Sequence, residues 1–267
     1  MQVLSVCQRC FSVLSYARVR GHAPSLVDGW ENAGFIVEGR TITVGSIANS
    51  KLFTVGSMRF ELVGDASERD KVDLLKFTNF PYTNMRQIND SILVGPDEGV
   101  RTRPAEHPNG ITSLDHVVIK TTEIEKVEDC LSNELRLTLR RRASHKDGTR
   151  MLFYREKNRP GQPAAPIIEV VGQPPEKNPV GTALSSGTMF QSKGRLKTVA
   201  QEDRRHFTYV WGLAFVAEDL GRVRECIGHE HVSEPRSALQ KGRRICTIKG
   251  VSMGTQIAVM TPHVKSI

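Results

Sequence analysis

The sequence predicts an α+β protein built from repeated units of the order βαβββ. Short apolar or alternating runs, separated by Gly, Pro or charged residues, occur in sets of three within residues 34–64, 135–172 and 231–260. Such sets are typical of small antiparallel meanders. The second and third sets each follow an apolar strand and a segment of helical period, at 114–135 and 209–227. A unit repeated in this way buries its apolar face by stacking on its neighbours.

Composition limits the classes of protein to consider. The 267 residues, 39% hydrophobic and 25% charged, suit one large or two modest globular domains. The longest apolar run, 209–217, is about half of a membrane span, so no membrane partner is expected. A net charge of +8 favours an anionic partner, but 6% aromatic residues and the lack of a recognised motif argue against nucleic acid as that partner. The five cysteines are odd in number and irregularly spaced, unlike those of a disulfide framework, and this favours a reducing compartment.

The first 27 residues contain no acidic side chain and include Arg9, Arg18 and Arg20. This composition is typical of a mitochondrial transit peptide. The competing interpretation is that residues 11–15 form the first strand of the folded protein. The expected location is therefore mitochondrial or cytoplasmic, and residues 1–27 are treated as a separate segment.

The remaining boundaries follow the repeat. Residues 28–66 are a partial or degenerate unit with strands expected at 34–39, 51–55 and 60–64, and residues 67–110 are a connecting segment containing four prolines. In this segment 73–77 fits either a helical turn or a strand. Residues 111–263 hold two complete units, 111–173 and 207–263. The stretch 173–201, rich in Pro, Gly, Ser and Thr, is expected to be a lid or a linker.

Two apolar strands each carry one residue that is costly to bury. His116 lies in residues 114–119 (LDHVVI), and Glu169 lies in residues 167–172 (IIEVVG). In these strands the chain resembles the vicinal oxygen chelate superfamily, which includes glyoxalases, fosfomycin-resistance proteins and extradiol dioxygenases. The resemblance is best over about 110–263 and weaker over about 11–64. It implies paired βαβββ modules that form a curved, mixed sheet around a cup holding a divalent metal.

In that superfamily the metal ligands lie on the first and last strands of two paired modules. The resemblance places His116 and Glu169 at these positions in module two, whereas Gly212 and Ala258 take the same positions in module three without a ligand atom. If modules two and three form the cup, two ligands remain, and two hold a metal poorly.

Module one offers a second pairing. Glu61 corresponds there to Glu169, and Ser12 is the nearest match to His116. A pairing of modules one and two would combine His116, Glu169 and Glu61 into a site suited to Mg²⁺ or Mn²⁺. Both pairings remain open at this point.

The favoured hypothesis is a glyoxalase-like, divalent-metal-dependent lyase or isomerase acting on a small anionic, oxygen-bearing substrate. Glu169 is then the candidate catalytic carboxylate, with the metal stabilising an enolate or alkoxide. Arg244 and Arg155 are candidates for binding the anionic group, because guanidinium groups match carboxylates and phosphates. The alternative is a non-catalytic binding module whose metal site is degenerate. A homodimer is left open.

Overall fold

The structure is a computed structural model that describes residues 13–21, 25–37, 50–55, 58–64, 71–78, 82, 84–89, 92–97, 105–155, 165–172 and 207–263. The strands are β1 (Val13–Gly21), β2 (Ser50–Val55), β3 (Met58–Gly64), β4 (Lys71–Thr78), β5 (Arg86–Ile88), β6 (Ile92–Pro96), β7 (Ile111–Thr121), β8 (Leu139–Ser144), β9 (Arg150–Tyr154), β10 (Ile167–Gly172), β11 (Thr208–Ala217), β12 (Arg236–Ser237), β13 (Arg244–Ile248) and β14 (Gln256–Met260). The helices are α1 (Ser25–Asn32), α2 (Ile124–Asp129), which continues as a π-helical turn at Cys130–Glu134, and α3 (Leu220–Ile227).

The C-terminal half is a mixed sheet in the order β8-β9-β10-β7-β11-β14-β13-β12. The first and last strands of each unit pair in parallel, β7 with β10 and β11 with β14, and β7 pairs antiparallel with β11 at the centre. Residues of the two outermost strands, β8 and β12, line one shared cavity, so the sheet curves around it. We call this half the C-terminal cup. It confirms the predicted α+β class with tandem βαβββ modules.

The N-terminal half repeats the plan with fewer described strands. Its order is β2-β3-β1-β4-β6-β5, with β1 parallel to β3, β4 parallel to β6, and β1 antiparallel to β4. The stretch expected to be a connecting segment, 67–110, therefore contributes three strands. Residues 73–77, which fitted either a helical turn or a strand, lie in β4. The prolines of the segment do not prevent strand formation, because Pro96 lies at the end of β6, where a missing N–H is tolerated.

The unit expected at 28–66 begins earlier than proposed. Strand β1 lies within the 1–27 segment and pairs with strands on both sides, and Ala17 and Val19 are fully buried. Residues 13–21 are thus part of the folded core, as the competing interpretation held, while residues 1–12 lie outside the described part of the chain. Residues 34–37 form no strand, and 38–49 are not described.

The two halves share one hydrophobic core and one sheet. Trp30 of α1 packs on Phe60 of β3 and on Phe215 of β11, with ring centroids 6.1 and 6.2 Å apart. Its indole N–H also donates to the Met253 carbonyl at 3.1 Å. Strands β4 and β11 meet at the single register pair Val72–Val210, where each then diverges to its own parallel partner. The two halves therefore form one continuous body.

Local details differ from the expectations in the second and third units. The first strand after α2 was expected at 135–139 but begins at Leu139, because the π-helical turn extends to Glu134. Residues 231–235 form only an isolated bridge at Val232, and the short strand is β12. Asp219 caps α3 by accepting hydrogen bonds from two backbone N–H groups. The predicted lid or linker at 173–201 lies outside the described residues.

None of the helices in the described part of the chain is both long and apolar enough to cross a membrane.

Candidate functional site

Strand register identifies which residues occupy equivalent positions in the units. In module two His116 pairs with Ile167, two residues before Glu169. In module three Gly212 pairs with Gln256, two residues before Ala258. The four positions taken from the resemblance are thus equivalent in the sheet, and all four line the cavity of the C-terminal cup.

The cavity of the C-terminal cup has a volume of about 1200 Å³. Its inner wall is largely apolar, with Met151, Phe153, Ile245 and Met260 among the lining residues. Four arginines from β8, the end of β9 and β12 also line it: Arg140, Arg141, Arg155 and Arg236. An apolar cavity with a few convergent charged groups is the usual form of a small-molecule site.

His116 and Glu169 lie side by side in this cavity. The His116 Nε2 and Glu169 Oε2 atoms are 3.6 Å apart, and the two side chains are 14% and 18% exposed. His116 Nδ1 lies 2.8 Å from Asp115 Oδ2. Because an ionised carboxylate only accepts hydrogen bonds, Nδ1 carries a proton and donates it to Asp115, which turns Nε2 towards the cavity. The structure thus brings together the two residues that the sequence predicted to act together.

A bulge in β7 explains how Asp115 reaches His116. Opposite β11, Leu114 pairs with Phe215 and His116 with Ala214, so Asp115 is the extra residue of the strand. A bulge re-aims side chains that strict alternation would separate. The Asp115 carboxylate therefore lies beside His116 rather than on the opposite face.

Behind this pair lies a buried arginine that sequence reasoning missed. The Arg243 side chain is 1% exposed and donates to Asp115 Oδ1 at 2.9 Å and to the Thr261 carbonyl at 2.7 Å. Gln240 Oε1 accepts a further hydrogen bond at 2.6 Å, and His263 Nε2 lies at 3.2 Å. The available signal was Asp115 itself, an acid in an apolar strand that requires a cationic partner when buried.

The surroundings set the pKa values of the two carboxyl groups in opposite directions. Burial would raise the pKa of Asp115, but the hydrogen bonds and charges of His116 and Arg243 outweigh it and hold the pKa at about 2. Burial raises the pKa of Glu169, and the partial opposition of His116 does not cancel it. Asp115 is accordingly a fixed anion, whereas Glu169 is a carboxyl group suited to exchanging protons.

The residues at the metal positions of the C-terminal cup provide too few ligand atoms for a divalent metal. The Asp115–His116 contact orients Nε2 as the outer carboxylate of a metal-bound histidine does. Gly212 and Ala258, however, supply no ligand atom, and a Cβ at Gly212 would lie 2.8 Å from the Gln256 carbonyl oxygen. No group of three or more His, Cys, Asp or Glu side chains within the described ranges is arranged to hold a metal. A pair of ligands falls short of the three that a catalytic site provides.

Glu61, the third predicted ligand, lies in the other half of the sheet. The Tyr16 hydroxyl donates to its carboxylate, and it is not among the residues of the C-terminal cavity. Strand register makes Glu61 equivalent to Glu169, because it pairs with Arg18, and it makes Tyr16, not Ser12, equivalent to His116. The pairing of modules one and two is therefore wrong: β1 pairs with β4, and β7 pairs with β11.

In the N-terminal half, which we call the N-terminal cup, charged side chains pair with one another. Arg18 donates twice to Asp73, at 2.8 and 2.9 Å, and Arg20 donates to the same carboxylate at 2.5 Å. Arg59 pairs with Asp97 in the same way. These three arginines are thus matched by acids of the same half.

Of the two predicted anion-binding arginines, one lines the cavity. Arg155 does so, with its Nε donating to the Ala165 carbonyl at 3.1 Å. Arg244 is exposed and bonds the Pro235 carbonyl instead, because Ile245 and Thr247 are the residues of β13 that face the cavity. Arg140, Arg141 and Arg236 line the same cavity as Arg155 and were not among the two candidates.

No family model and no curated protein sequence matches the chain. Among solved structures it is similar to a xylose isomerase-like TIM barrel/4-hydroxyphenylpyruvate dioxygenase fusion protein, at TM-score 0.61 and 8% identity over 97% of this chain. This chain spans 50% of that fusion protein. A 4-hydroxymandelate synthase mutant from Streptomyces coelicolor matches at TM-score 0.55 and 11% identity, over 96% of this chain and 94% of that one.

A third similar structure is 2,2',3-trihydroxybiphenyl 1,2-dioxygenase from Sphingomonas wittichii strain RW1, at TM-score 0.55 and 11% identity. That match covers 95% of this chain and 91% of the dioxygenase. At such low identity the similarity concerns the fold. The neighbours are members of the vicinal oxygen chelate superfamily, and the chain has the vicinal oxygen chelate fold.

Proposed function

We propose that the C-terminal cup binds a small amphipathic organic anion with a carbonyl oxygen, and that Glu169 transfers a proton to or from the carbon beside that carbonyl. Such a protein belongs to the lyase or isomerase class. The observation that carries the proposal is the His116–Glu169 pair, 3.6 Å apart, inside an apolar cavity lined by four arginines.

The charge distribution of the cavity supports an anionic ligand. Arg140, Arg141, Arg155 and Arg236 come from the outer strands, whereas the inner wall is mainly aliphatic and aromatic. A ligand with a carboxylate at the arginines and an apolar body on the wall satisfies both parts. Two of the similar structures carry names of aromatic 2-oxo or 2-hydroxy acid chemistry, 4-hydroxyphenylpyruvate and 4-hydroxymandelate. Aromatic 2-oxo acids are therefore the first compounds to test.

The proposed chemistry uses groups that the chain itself supplies. The raised pKa of Glu169 suits a base that works near neutral pH, because the carboxylate then binds a proton more readily than an exposed one. Because Nδ1 carries the ring proton, His116 Nε2 faces the cavity beside Glu169 as a hydrogen-bond acceptor, and it can hold a hydroxyl group of the substrate. Asp115 and Arg243 orient the imidazole and do not contact the substrate.

A second candidate function is binding without turnover. The small, donor-free residues Gly212 and Ala258 favour it, because half of the metal positions of the cup carry no ligand atom. Both candidates require the anion to bind in the cup, and they differ only in the behaviour of the Glu169 carboxyl group.

The test measures exchange of the C3 protons of phenylpyruvate with solvent deuterium by NMR, after treatment of the protein with a chelator. The expected result is exchange above the buffer rate, lowered about a hundredfold or more by Glu169→Gln. Glu61→Gln is the matched control, because Glu61 occupies the equivalent position in the N-terminal cup, and it should leave the rate unchanged. Thermal melting of each variant verifies that it is folded.

Titration of phenylpyruvate by calorimetry separates the two candidates. Binding without exchange supports the second candidate and overturns proton transfer. If no aromatic 2-oxo acid binds or exchanges its protons, the proposed ligand class is wrong. Exchange that is equal in the wild-type protein and in Glu169→Gln removes Glu169 as the base.

A further inference from the structure

The concave face of β7 carries a lysine that the proposed function does not use. Side chains of a strand alternate, so His116, Val118 and Lys120 point to the same face. Val118 lines the cavity, as does Val171, the residue that pairs with Lys120 in β10. Lys120 therefore lies at the far end of the cup wall, with its Cα about 13 Å along the strand from that of His116.

Two aromatic residues of β11 flank Lys120. Tyr209 is its register partner across the sheet, and the Lys120 Nζ atom lies 3.9 Å from the centre of the Trp211 ring. We call Lys120, Tyr209 and Trp211 the lysine corner. An ammonium group at this distance over an indole ring is held by cation–π attraction.

A bulge in β11 aims Trp211 into the cup. Val210 pairs with Ile119 and Gly212 with Val118, so Trp211 is the extra residue between them. The indole is 36% exposed and lines the cavity. Next to Gly212, which has no side chain, the Trp211 indole thus forms part of the cavity wall, and the Lys120 ammonium lies over its ring.

The charge of Lys120 is not balanced by an acid in the described part of the chain. No carboxylate of these residues forms an ion pair with it, in contrast to Lys126, which pairs with Glu123. Lys120 is half-buried, and burial lowers its pKa. An ammonium group that has lost part of its water and lacks an acidic partner is stabilised by any anion that reaches it.

We propose that the lysine corner is a second anion-binding subsite of the C-terminal cup, distinct from the arginines of the outer strands, and that it takes the carboxylate, sulfonate or phosphate group of an aromatic ligand. The indole stacks on the ring of the ligand, and the ammonium binds its anionic group. The inference rests on the proposed function in that it assigns a ligand group to the same cavity.

The fluorescence of the chain itself reports on this subsite. The sequence has two tryptophans, and Trp30 is fully buried, so a quencher in solution reaches mainly Trp211. The experiment compares quenching by iodide, an anion, with quenching by neutral acrylamide in the full chain. The expected result is that Lys120→Met lowers the iodide quenching constant at least about threefold and leaves the acrylamide constant nearly unchanged.

Two control variants test whether the effect comes from loss of the fold or from the loss of any surface charge. Lys120→Arg keeps the charge and should keep the iodide preference, which distinguishes loss of charge from loss of fold. Lys126→Met, an exposed lysine on α2, removes the same charge elsewhere and should have no effect. Equal iodide quenching in the wild-type protein and in Lys120→Met overturns the subsite.

A competition arm separates this inference from the proposed function. 1-Naphthoate should protect Trp211 from iodide in the wild-type protein, with its affinity reduced at least fivefold in Lys120→Met. If Arg155→Gln weakens naphthoate binding but Lys120→Met does not, the cup binds anions without the lysine corner, and the subsite is wrong while the proposed function stands. If naphthoate protects Trp211 with the expected dependence on Lys120 while phenylpyruvate neither binds nor exchanges its C3 protons, the subsite stands and the proposed function is wrong. If naphthoate does not protect Trp211 in the wild-type protein, the subsite is wrong.

Discussion

Replacing Asp115 by Asn removes the buried charge that holds both Arg243 and His116. The Asp115 and Arg243 side chains are 7% and 1% exposed, and their closest atoms are 2.9 Å apart. Asn keeps the size of the side chain but leaves the guanidinium without a counter-charge. The expected result is a large loss of stability with little change of shape.

The magnitude follows from the pKa of the carboxyl group. Folding lowers it from 3.8 to about 2, and two pKa units correspond to about 2 to 3 kcal/mol of stability at neutral pH. Leaving the partner of a buried ion pair uncompensated typically costs about 3 to 5 kcal/mol. We therefore expect Asp115→Asn to lower the free energy of unfolding by about 2 to 5 kcal/mol, and the melting temperature by about 5 to 15 °C.

Urea unfolding between pH 2 and pH 8 tests the sign as well as the size. The folded-state pKa lies below the unfolded one, so the stabilisation is fully present above about pH 4 and is lost as the pH falls through 2. The gap between wild type and variant should be constant from pH 5 to 8 and should shrink below pH 4. Glu125→Gln, at an exposed ion pair with Arg150, is the control and should change stability by at most about 0.5 kcal/mol.

A difference below about 0.5 kcal/mol at pH 7 would refute the reasoning, as would a gap that does not change with pH. A double-mutant cycle supplies the second check. Arg243→Met combined with Asp115→Asn should be less destabilising than the sum of the two single changes, because each single variant leaves one buried group unpaired.

Three further predictions concern the metal positions, a buried histidine and a helix contact. Ala258→Glu adds a third ligand beside His116 and Glu169, and it should tighten Mn²⁺ or Zn²⁺ binding at least tenfold by calorimetry, whereas Ala258→Leu should not. His107 is 4% exposed and burial lowers its pKa, so stability should fall as the pH decreases below about 6.5, and His107→Gln should flatten that slope in urea unfolding. A Cβ at Gly29 would lie 1.9 Å from the Ser252 carbonyl oxygen, so Gly29→Ala should lower the melting temperature by at least about 5 °C, whereas Asp28→Ala, exposed on the same helix, should not.

Contradictory outcomes are equally specific. Unchanged metal affinity in Ala258→Glu would show that position 258 does not face the same point as His116 and Glu169. A pH slope that survives in His107→Gln would assign it to other groups. A stable Gly29→Ala would show that α1 can move away from the loop at 252.

The local pattern was sufficient for the strands of the C-terminal cup. Alternation and apolar content predicted β13 and β14 with their observed bounds. The resemblance, rather than the pattern, implied that His116 and Glu169 share one site, and the parallel pairing of β7 with β10 brings them together. The sequence also shows directly that His116 and Glu169 are polar residues in apolar strands, and such residues need a partner or a ligand when they are buried.

What the sequence could not show depends on contacts between distant residues. Arg243 and Arg244 are indistinguishable locally, and only the approach of Asp115, 128 residues earlier, selects the buried one. The bulges at Asp115 and Trp211 arise from how β7 and β11 pair, so strict alternation could not place the Asp115 carboxylate beside His116 or the Trp211 side chain in the cavity. The equivalence of Tyr16 with His116 likewise required the register of a parallel pair.

The equivalence of the Tyr16–Glu61 and His116–Glu169 pairs has an evolutionary consequence. A chain that holds two copies of one architecture can divide two competing demands between them. In the N-terminal copy arginines and carboxylates pair with one another, and these pairs can stabilise the shared sheet. The C-terminal copy can therefore keep a lysine without an acidic partner among the described residues and a largely buried acid, groups that lower the stability of a domain but are available to bind a ligand.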